Sequence, residues 1–103
     1  MRENIILIGM PGSGKSRLGR IVAKKLGFDF IDIDEKIEND AKMPIPEIFR
    51  RFGEAGFRRL EREAVLALES RVHTVVGTGG GVILDPENVV LLRRIGFVCL
   101  VER

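Results

Sequence analysis

The sequence is short of several features that would mark particular kinds of protein. It has a single cysteine, Cys99, in 103 residues, so it can build neither an internal disulfide nor a cysteine-based metal cluster. Cys99 stands in the apolar run FVCLV and is expected in the core. Neither sign of charge dominates: 17 basic and 15 acidic residues leave a net +2, too slight a balance to draw the chain to nucleic acid. No apolar run approaches the roughly 18 residues of a membrane span. At the start, Arg2, Glu3 and Asn4 lead into only four apolar residues before Gly9, which is not the order of a signal peptide. A cytoplasmic protein with no membrane or nucleic-acid partner is the expectation. Tryptophan and tyrosine are absent. The one histidine, His73, has no acidic or hydroxyl neighbour at motif spacing and reads as a surface or edge residue.

What is present describes one small domain over residues 1–103. The chain is 45% hydrophobic and 31% charged, with compact Ile, Leu, Val and Phe runs that offset ordering entropy and exclude disorder. Strand and helix patterns alternate. Ile5 to Ile8 is a β-branched run suited to a strand covered on both faces. Arg17 to Leu26 carries Leu18, Ile21, Val22 and Leu26 at helical spacing, with Gly27 placed to end the helix left-handed. Phe28 to Ile33 reads as a second strand and Glu35 to Asp40 as a short helix. Pro44 and Pro46 break the chain before a helix bearing Ile48, Phe49 and Phe52 and ended by Gly53. Glu54 to Arg71 is the longest expected helix, with Phe57, Leu60, Ala64, Leu66, Ala67 and Leu68 on its buried side. Val72 to Val76 is a third strand, Pro86 to Arg94 a helix capped by Asp85, and Phe97 to Val101 a fourth strand. This alternation implies parallel pairing through right-handed crossovers, hence an α/β protein, a three-layer α/β/α sandwich.

The sharpest motif is Gly9-Met10-Pro11-Gly12-Ser13-Gly14-Lys15-Ser16, a full match to G-x-x-x-x-G-K-[ST] between a strand and a helix. Glycines let the backbone curl so that its N–H groups point at phosphate oxygens. The helix start adds positive charge, Lys15 neutralises the β- and γ-phosphates, and the Ser16 hydroxyl suits Mg2+. Gly12, Ser13, Gly14, Lys15, Ser16 and Arg17 are therefore the candidate nucleotide-binding residues, for a nucleoside triphosphate with Mg2+. Asp32 and Asp34 follow at the end of the second strand, where i and i+2 share a face. One can organise the metal and the other accept a hydroxyl proton; Asp34 is equally placed to cap the following helix. Thr78-Gly79-Gly80-Gly81 ends the third strand, and its glycines allow a ligand close to the backbone. Arg58 and Glu61, at i and i+3, can pair on one helix face.

Together these motifs resemble the shikimate kinase family, within the P-loop, nucleoside-monophosphate-kinase-like group. The resemblance rests on GMPGSGKS, on Phe30-Ile31-Asp32-Ile33-Asp34-Glu35-Lys36-Ile37-Glu38, on Phe57-Arg58-Arg59-Leu60-Glu61 and on Thr78-Gly79-Gly80-Gly81. It implies ATP-dependent phosphorylation of the 3-hydroxyl of shikimate in aromatic amino-acid biosynthesis. Lys15 and Asp34 would be catalytic, and Ser16 and Asp32 would hold Mg2+. Asp34, Arg58, Gly79, Gly80 and Gly81 would bind shikimate, with Pro11, Phe49, Phe57 and Glu61 lining or bracing its pocket. The family continues past the fourth strand into a lid with an arginine, an adenine loop, a fifth strand and a last helix. The resemblance thus implies a chain cut short there, with reduced activity and an exposed sheet edge that favours self-association. The alternatives are a non-catalytic P-loop nucleotide-binding module and a kinase for another small polyhydroxy acid.

Overall fold

The computed structural model describes residues 3–9 and 14–101. Its elements are β1 (Ile5–Ile8), α1 (Lys15–Leu26), β2 (Asp29–Asp32), α2 (Ile33–Ala41), α3 (Ile45–Leu66), β3 (Thr74–Gly77), α4 (Pro86–Ile95) and β4 (Phe97–Leu100). Short 3-10 turns occupy Ala67–Ser70 and Val82–Leu84. The strands form one parallel sheet in the order β2-β3-β1-β4. Alternation along the strands sorts their side chains between two cores. Ile6 and Val76 face Ile33, Ile37, Ile48, Val65, Leu92 and Ile95 from α2, α3 and α4. Leu7 and Val75 face Ala23 of α1 on the other side. The three-layer α/β/α sandwich expected from the alternation is the architecture observed.

Local signals explain most element ends. Gly27 closes α1 in the left-handed conformation, φ 71°, with its N–H bonded to the carbonyls of the last turn. Pro44 caps α3 in extended conformation, so that helix starts one residue before Pro46. Gly53, at φ 70° and ψ −177°, interrupts α3 where a helix end was expected, and the chain resumes its helix at once. Asp85 caps α4 as expected, accepting from the Glu87 N–H at 2.9 Å. At the base of the sheet the wholly buried Asn4 donates to the carbonyls of Arg71 (3.0 Å) and Ile95 (2.8 Å) and accepts from the Thr74 N–H (2.9 Å). One side chain therefore joins the starts of β1 and β3 to the end of α4.

Several expectations are corrected. The second strand ends at Asp32 instead of Ile33, because Asp32 accepts from the Glu35 N–H at 3.2 Å and starts α2 immediately. The third strand starts at Thr74 and runs to Gly77, and the long helix gives way to a 3-10 turn after Leu66. Cys99 is exposed, contrary to the core position expected of it. Register pairs Cys99 with Leu7 and Phe97 with Ile5, so both point to the α1 side of the sheet. Helix α1 packs chiefly over β3 and β2, which leaves β4 uncovered on that side. Phe97 is 64% exposed for the same reason. Leu18 and Ile21 of α1, and Phe49, Phe52 and Leu66 of α3, are also partly exposed; the apolar stripe is wider than the surface it meets. His73 is exposed, and the fold brings it an acidic partner from far along the chain, Glu3, at 3.0 Å. No helix among the described residues is long and apolar enough to cross a membrane.

Candidate active site

The site lies at the carboxyl ends of β1, β2 and β3, where an open parallel sheet presents its loops. Gly14, the last residue of the glycine loop, caps α1 at φ 85°, a conformation that disfavours side chains. Pro11, Gly12 and Ser13 lie outside the described residues. Lys15 opens α1 and is buried at 9% exposure, next to Ser16. Arg17 is on the exposed side of the first turn of α1.

Ser16 and Asp32 meet although they come from different elements: Ser16 Oγ donates to Asp32 Oδ2 at 3.0 Å. The other oxygen of Asp32 caps α2. A hydroxyl and a carboxylate oxygen side by side are hard donors of the kind Mg2+ accepts while keeping most of its waters and taking phosphate oxygens. The pair fits that ion. Among the described residues there is no cluster of three or more His, Cys, Asp or Glu of the sort that holds a metal without such help.

Asp34 belongs to the first turn of α2, not to a strand. Asp32 and Asp34 therefore do not share a strand face as expected, and the cap that Asp34 could have made is made by Asp32. Burial, and next the negative charge of Asp32, push the Asp34 carboxyl above its ordinary range. The positive charges of Lys15 and Arg58 act in the opposite direction. The result is a partly desolvated carboxylate that feels the charges of Lys15 and Arg58.

The glycine turn after β3 closes over these side chains. A methyl group on Gly79 would fall 2.6 Å from Asp34 Oδ1, and one on Gly81 would fall 2.5 Å from Arg58 Nη1. Gly80 sits between them in the same turn. A methyl group at either position would have to displace the Asp34 carboxyl or the Arg58 guanidinium from where it lies. The turn is anchored by Thr78, which is buried and donates to the Leu7 carbonyl from both its hydroxyl (2.9 Å) and its N–H (3.1 Å). Sequence reasoning gave Thr78 no role; its tether to β1, just ahead of the phosphate loop, arises only from the β1–β3 pairing.

Arg58 projects from α3 and is steered by Glu61 Oε1 at 3.0 Å. Glu61 is 1% exposed, and burial raises its carboxyl above the usual range against the pull of Arg58. Phe57 is buried beside them, stacked on Phe49 at 4.7 Å between ring centres. The structure thus joins four sequence-distant motifs at one sheet end.

A parallel sheet with a glycine loop running from β1 into α1, and a serine–aspartate pair behind it, defines a P-loop α/β protein of the nucleoside-monophosphate-kinase-like kind. The family model described as shikimate kinase matches residues 11–103. The shikimate kinase of Thermodesulfovibrio yellowstonii is 48% identical over 99 residues, 95% of this chain and 57% of that protein. That of Synechococcus sp. strain CC9902 is 54% identical over 86 residues, 84% of this chain and 45% of that one. Among solved structures, shikimate kinase from Acinetobacter baumannii in complex with shikimate matches with a TM-score of 0.94 at 40% identity, covering 98% of this chain and 56% of that one. Shikimate kinase from Aquifex aeolicus matches with a TM-score of 0.92 at 34% identity, covering 97% and 60%. The chain belongs to the shikimate kinase family. It spans about 57% of the length of the Thermodesulfovibrio relative.

Proposed function

We propose that this chain carries the phosphate- and acceptor-binding core of a shikimate kinase, transferring the γ-phosphoryl group of ATP to the 3-hydroxyl of shikimate with Mg2+. The observation that carries this reading is the placement of Asp34 and Arg58 against the same glycine turn, Asp34 at Gly79 and Arg58 at Gly81, with the Asp34 carboxyl raised by burial. An acid with several hydroxyls fits that arrangement. Its carboxylate pairs with the Arg58 guanidinium, a planar fork suited to it, and its hydroxyls reach Asp34. Gly79, Gly80 and Gly81 let the ring lie against the backbone.

Asp34 accepts the proton of the attacking hydroxyl as that oxygen bonds to the γ-phosphorus, and the bond from phosphorus to the β,γ-bridging oxygen breaks to release ADP. Lys15 balances the charge on the β- and γ-phosphates, and Gly12, Ser13 and Gly14 of the phosphate motif are the further nucleotide-binding residues of this reading. Arg17, exposed on the first turn of α1, is the remaining nucleotide-binding residue of this reading. Ser16 and Asp32 would hold Mg2+, which when bound draws charge from the phosphate oxygens. The reading places the reaction in the cytoplasm, within aromatic amino-acid biosynthesis. The outer edge of β4, with Phe97 and Leu100 more than half exposed, is expected to promote self-association.

The test is shikimate-dependent ADP release by the 103-residue chain, on a sample shown by circular dichroism to be folded. Release above the background without shikimate supports the reading. A folded chain that binds ATP but gives no release is a binding module, and release with a different polyhydroxy acid alone would reassign the substrate. Sedimentation over a concentration series tests the self-association.

A further inference from the structure

Phe30 stands two residues before Asp32 on β2, so both side chains point to the α1 side of the sheet. Each meets a residue of α1, and the two residues met are three apart. Asp32 meets Ser16 by the 3.0 Å hydrogen bond, and the Phe30 ring lies against Gly19, where a methyl group would come within 2.5 Å of Cε1. Residues i and i+3 share a helix face as i and i+2 share a strand face, so β2 and α1 meet through two rungs.

The ring is held on its other sides as well. Gly77 is the register partner of Asp32, and a methyl group there would lie 3.5 Å from Phe30 Cζ and 3.9 Å from Ser16 Oγ. The Arg20 guanidinium lies over the ring, 4.8 Å from its centre, and reaches Glu35 at 3.6 Å. Glu35 is the residue whose N–H the second Asp32 oxygen caps. An aromatic ring without polar atoms therefore lies against Gly19, whose lack of a Cβ admits it, and in ordinary contact range of Gly77, one helical turn behind the Ser16 hydroxyl.

We propose that Phe30 is a positioning residue for the metal-bearing end of the nucleotide site: its ring sets the spacing of α1 from β2 and thereby the approach of Ser16 to Asp32. The metal part of this inference rests on the nucleotide reading above; the spacing part does not. Shortening the ring in Phe30→Leu, or wedging it away in Gly19→Ala, moves the Ser16 hydroxyl off the carboxylate without touching either group. The two changes act from opposite sides, so the double variant recovers part of what each single one loses.

Two measurements on the full chain decide it. The first needs no ligand: chemical unfolding of Ser16→Ala in the wild-type and Phe30→Leu backgrounds. Removing the Ser16–Asp32 bond raises the unfolding constant about fivefold where the bond is intact, and less than about twofold where Phe30→Leu has already broken it. If Phe30→Leu is too unstable for the cycle, Gly19→Ala replaces it. An equal effect of Ser16→Ala in both backgrounds overturns the proposal. The second is ATP affinity by calorimetry with Mg2+ and with EDTA. Phe30→Leu and Gly19→Ala are expected to weaken binding with Mg2+ about tenfold or more, the scale of a disturbed metal-supporting contact, while binding in EDTA stays within about twofold. Equal loss under both conditions would mean general damage to the fold and would also overturn it. A wild-type chain whose ATP affinity ignores Mg2+ refutes the nucleotide reading and the metal part of the proposal together, and the unfolding cycle still decides the spacing part.

Discussion

The Asp34 carboxylate lies directly beneath the backbone of Gly79, so close that a single methyl group at Gly79 would come within 2.6 Å of Oδ1. The missing side chain at Gly79 thus leaves the room in which the Asp34 carboxylate, the proposed acceptor of the hydroxyl proton, sits. Gly79→Ala is expected to displace that carboxylate and lower shikimate-dependent turnover by about 100-fold, the scale of an ångström of misplacement. ATP affinity should stay within about twofold, because Lys15 and the phosphate loop are untouched. Steady-state kinetics beside calorimetry separate the two.

Asp34→Asn is expected to lower turnover by about 10²–10⁴-fold, the usual contribution of a general base, with nucleotide binding near normal. Wild-type turnover in this variant would remove Asp34 from the base role. The same substitution should raise the melting temperature at pH 7. The Asp34 pKa is raised by burial and by Asp32. A carboxyl raised on folding costs stability in its ionised form, fully so above the folded pKa and not at all below the unfolded value. Neutralising it relieves that cost at pH 7, and the gain should fade as the pH falls toward 4 or so.

The pH–rate profile follows from the same shift. Asp34 must be ionised to accept a proton, so turnover falls as the pH drops through its raised pKa, and the acid limb lies above the ordinary carboxylate range. Removing Arg58, one of the two cations that hold this pKa down, should move the limb further up. A limb at the value of a free aspartate would contradict the environment described.

Glu61→Gln keeps the volume of a side chain that is 1% exposed but removes the charge facing Arg58. A hydrogen bond to a charged group is worth roughly 1.5–3 kcal/mol, so loss of steering should raise the KM for shikimate by about 10–100-fold. The effect on kcat should be smaller. Equal changes in both constants would place Glu61 closer to the chemistry than its 3.0 Å contact with Arg58 implies.

Asn4→Ala removes three hydrogen bonds at the base of the sheet, far from the site. Leaving a buried N–H and two carbonyls without partners should reduce the unfolding free energy by about 2–4 kcal/mol. Denaturant titration checks this, and the Ser16–Asp32 end should bind ATP normally in the fraction that stays folded.

At concentrations where the chain is monomeric, Cys99 should react fully with a thiol reagent in the folded chain, without denaturant, because it faces the uncovered side of β4. Protection until unfolding would mean that the surface is covered in solution.

Much of this was legible in the residues themselves. Ile5–Ile8 and the Gly27 stop read correctly because continuous β-branched runs and left-handed glycines have one common use. The phosphate motif with Asp32, Asp34, Arg58 and the glycine triplet pointed to one chemistry because each residue type answers a distinct demand of phosphoryl transfer. Less legible were the places where two signals competed for one residue. Asp32 could continue a strand or start a helix, and its cap on Glu35 ended the strand there, carrying Asp34 into the first turn of α2. Cys99 lies in an apolar run that reads as core, yet a run reports what a strand could bury and not whether a helix lies over it.

The alternation of elements, the parallel sheet and the reactive groups were readable from the residues alone, since these depend on spacing along the chain and on side-chain chemistry. Which groups meet was decided only by the tertiary structure. Strand order β2-β3-β1-β4 sets Gly79 on Asp34, Gly81 on Arg58, Thr78 on Leu7 and Phe30 against Gly19. Contacts of this kind join residues far apart in the chain, and no local pattern encodes them. They follow from register between strands and from the faces that helices turn toward the sheet, which exist only once the layers have packed.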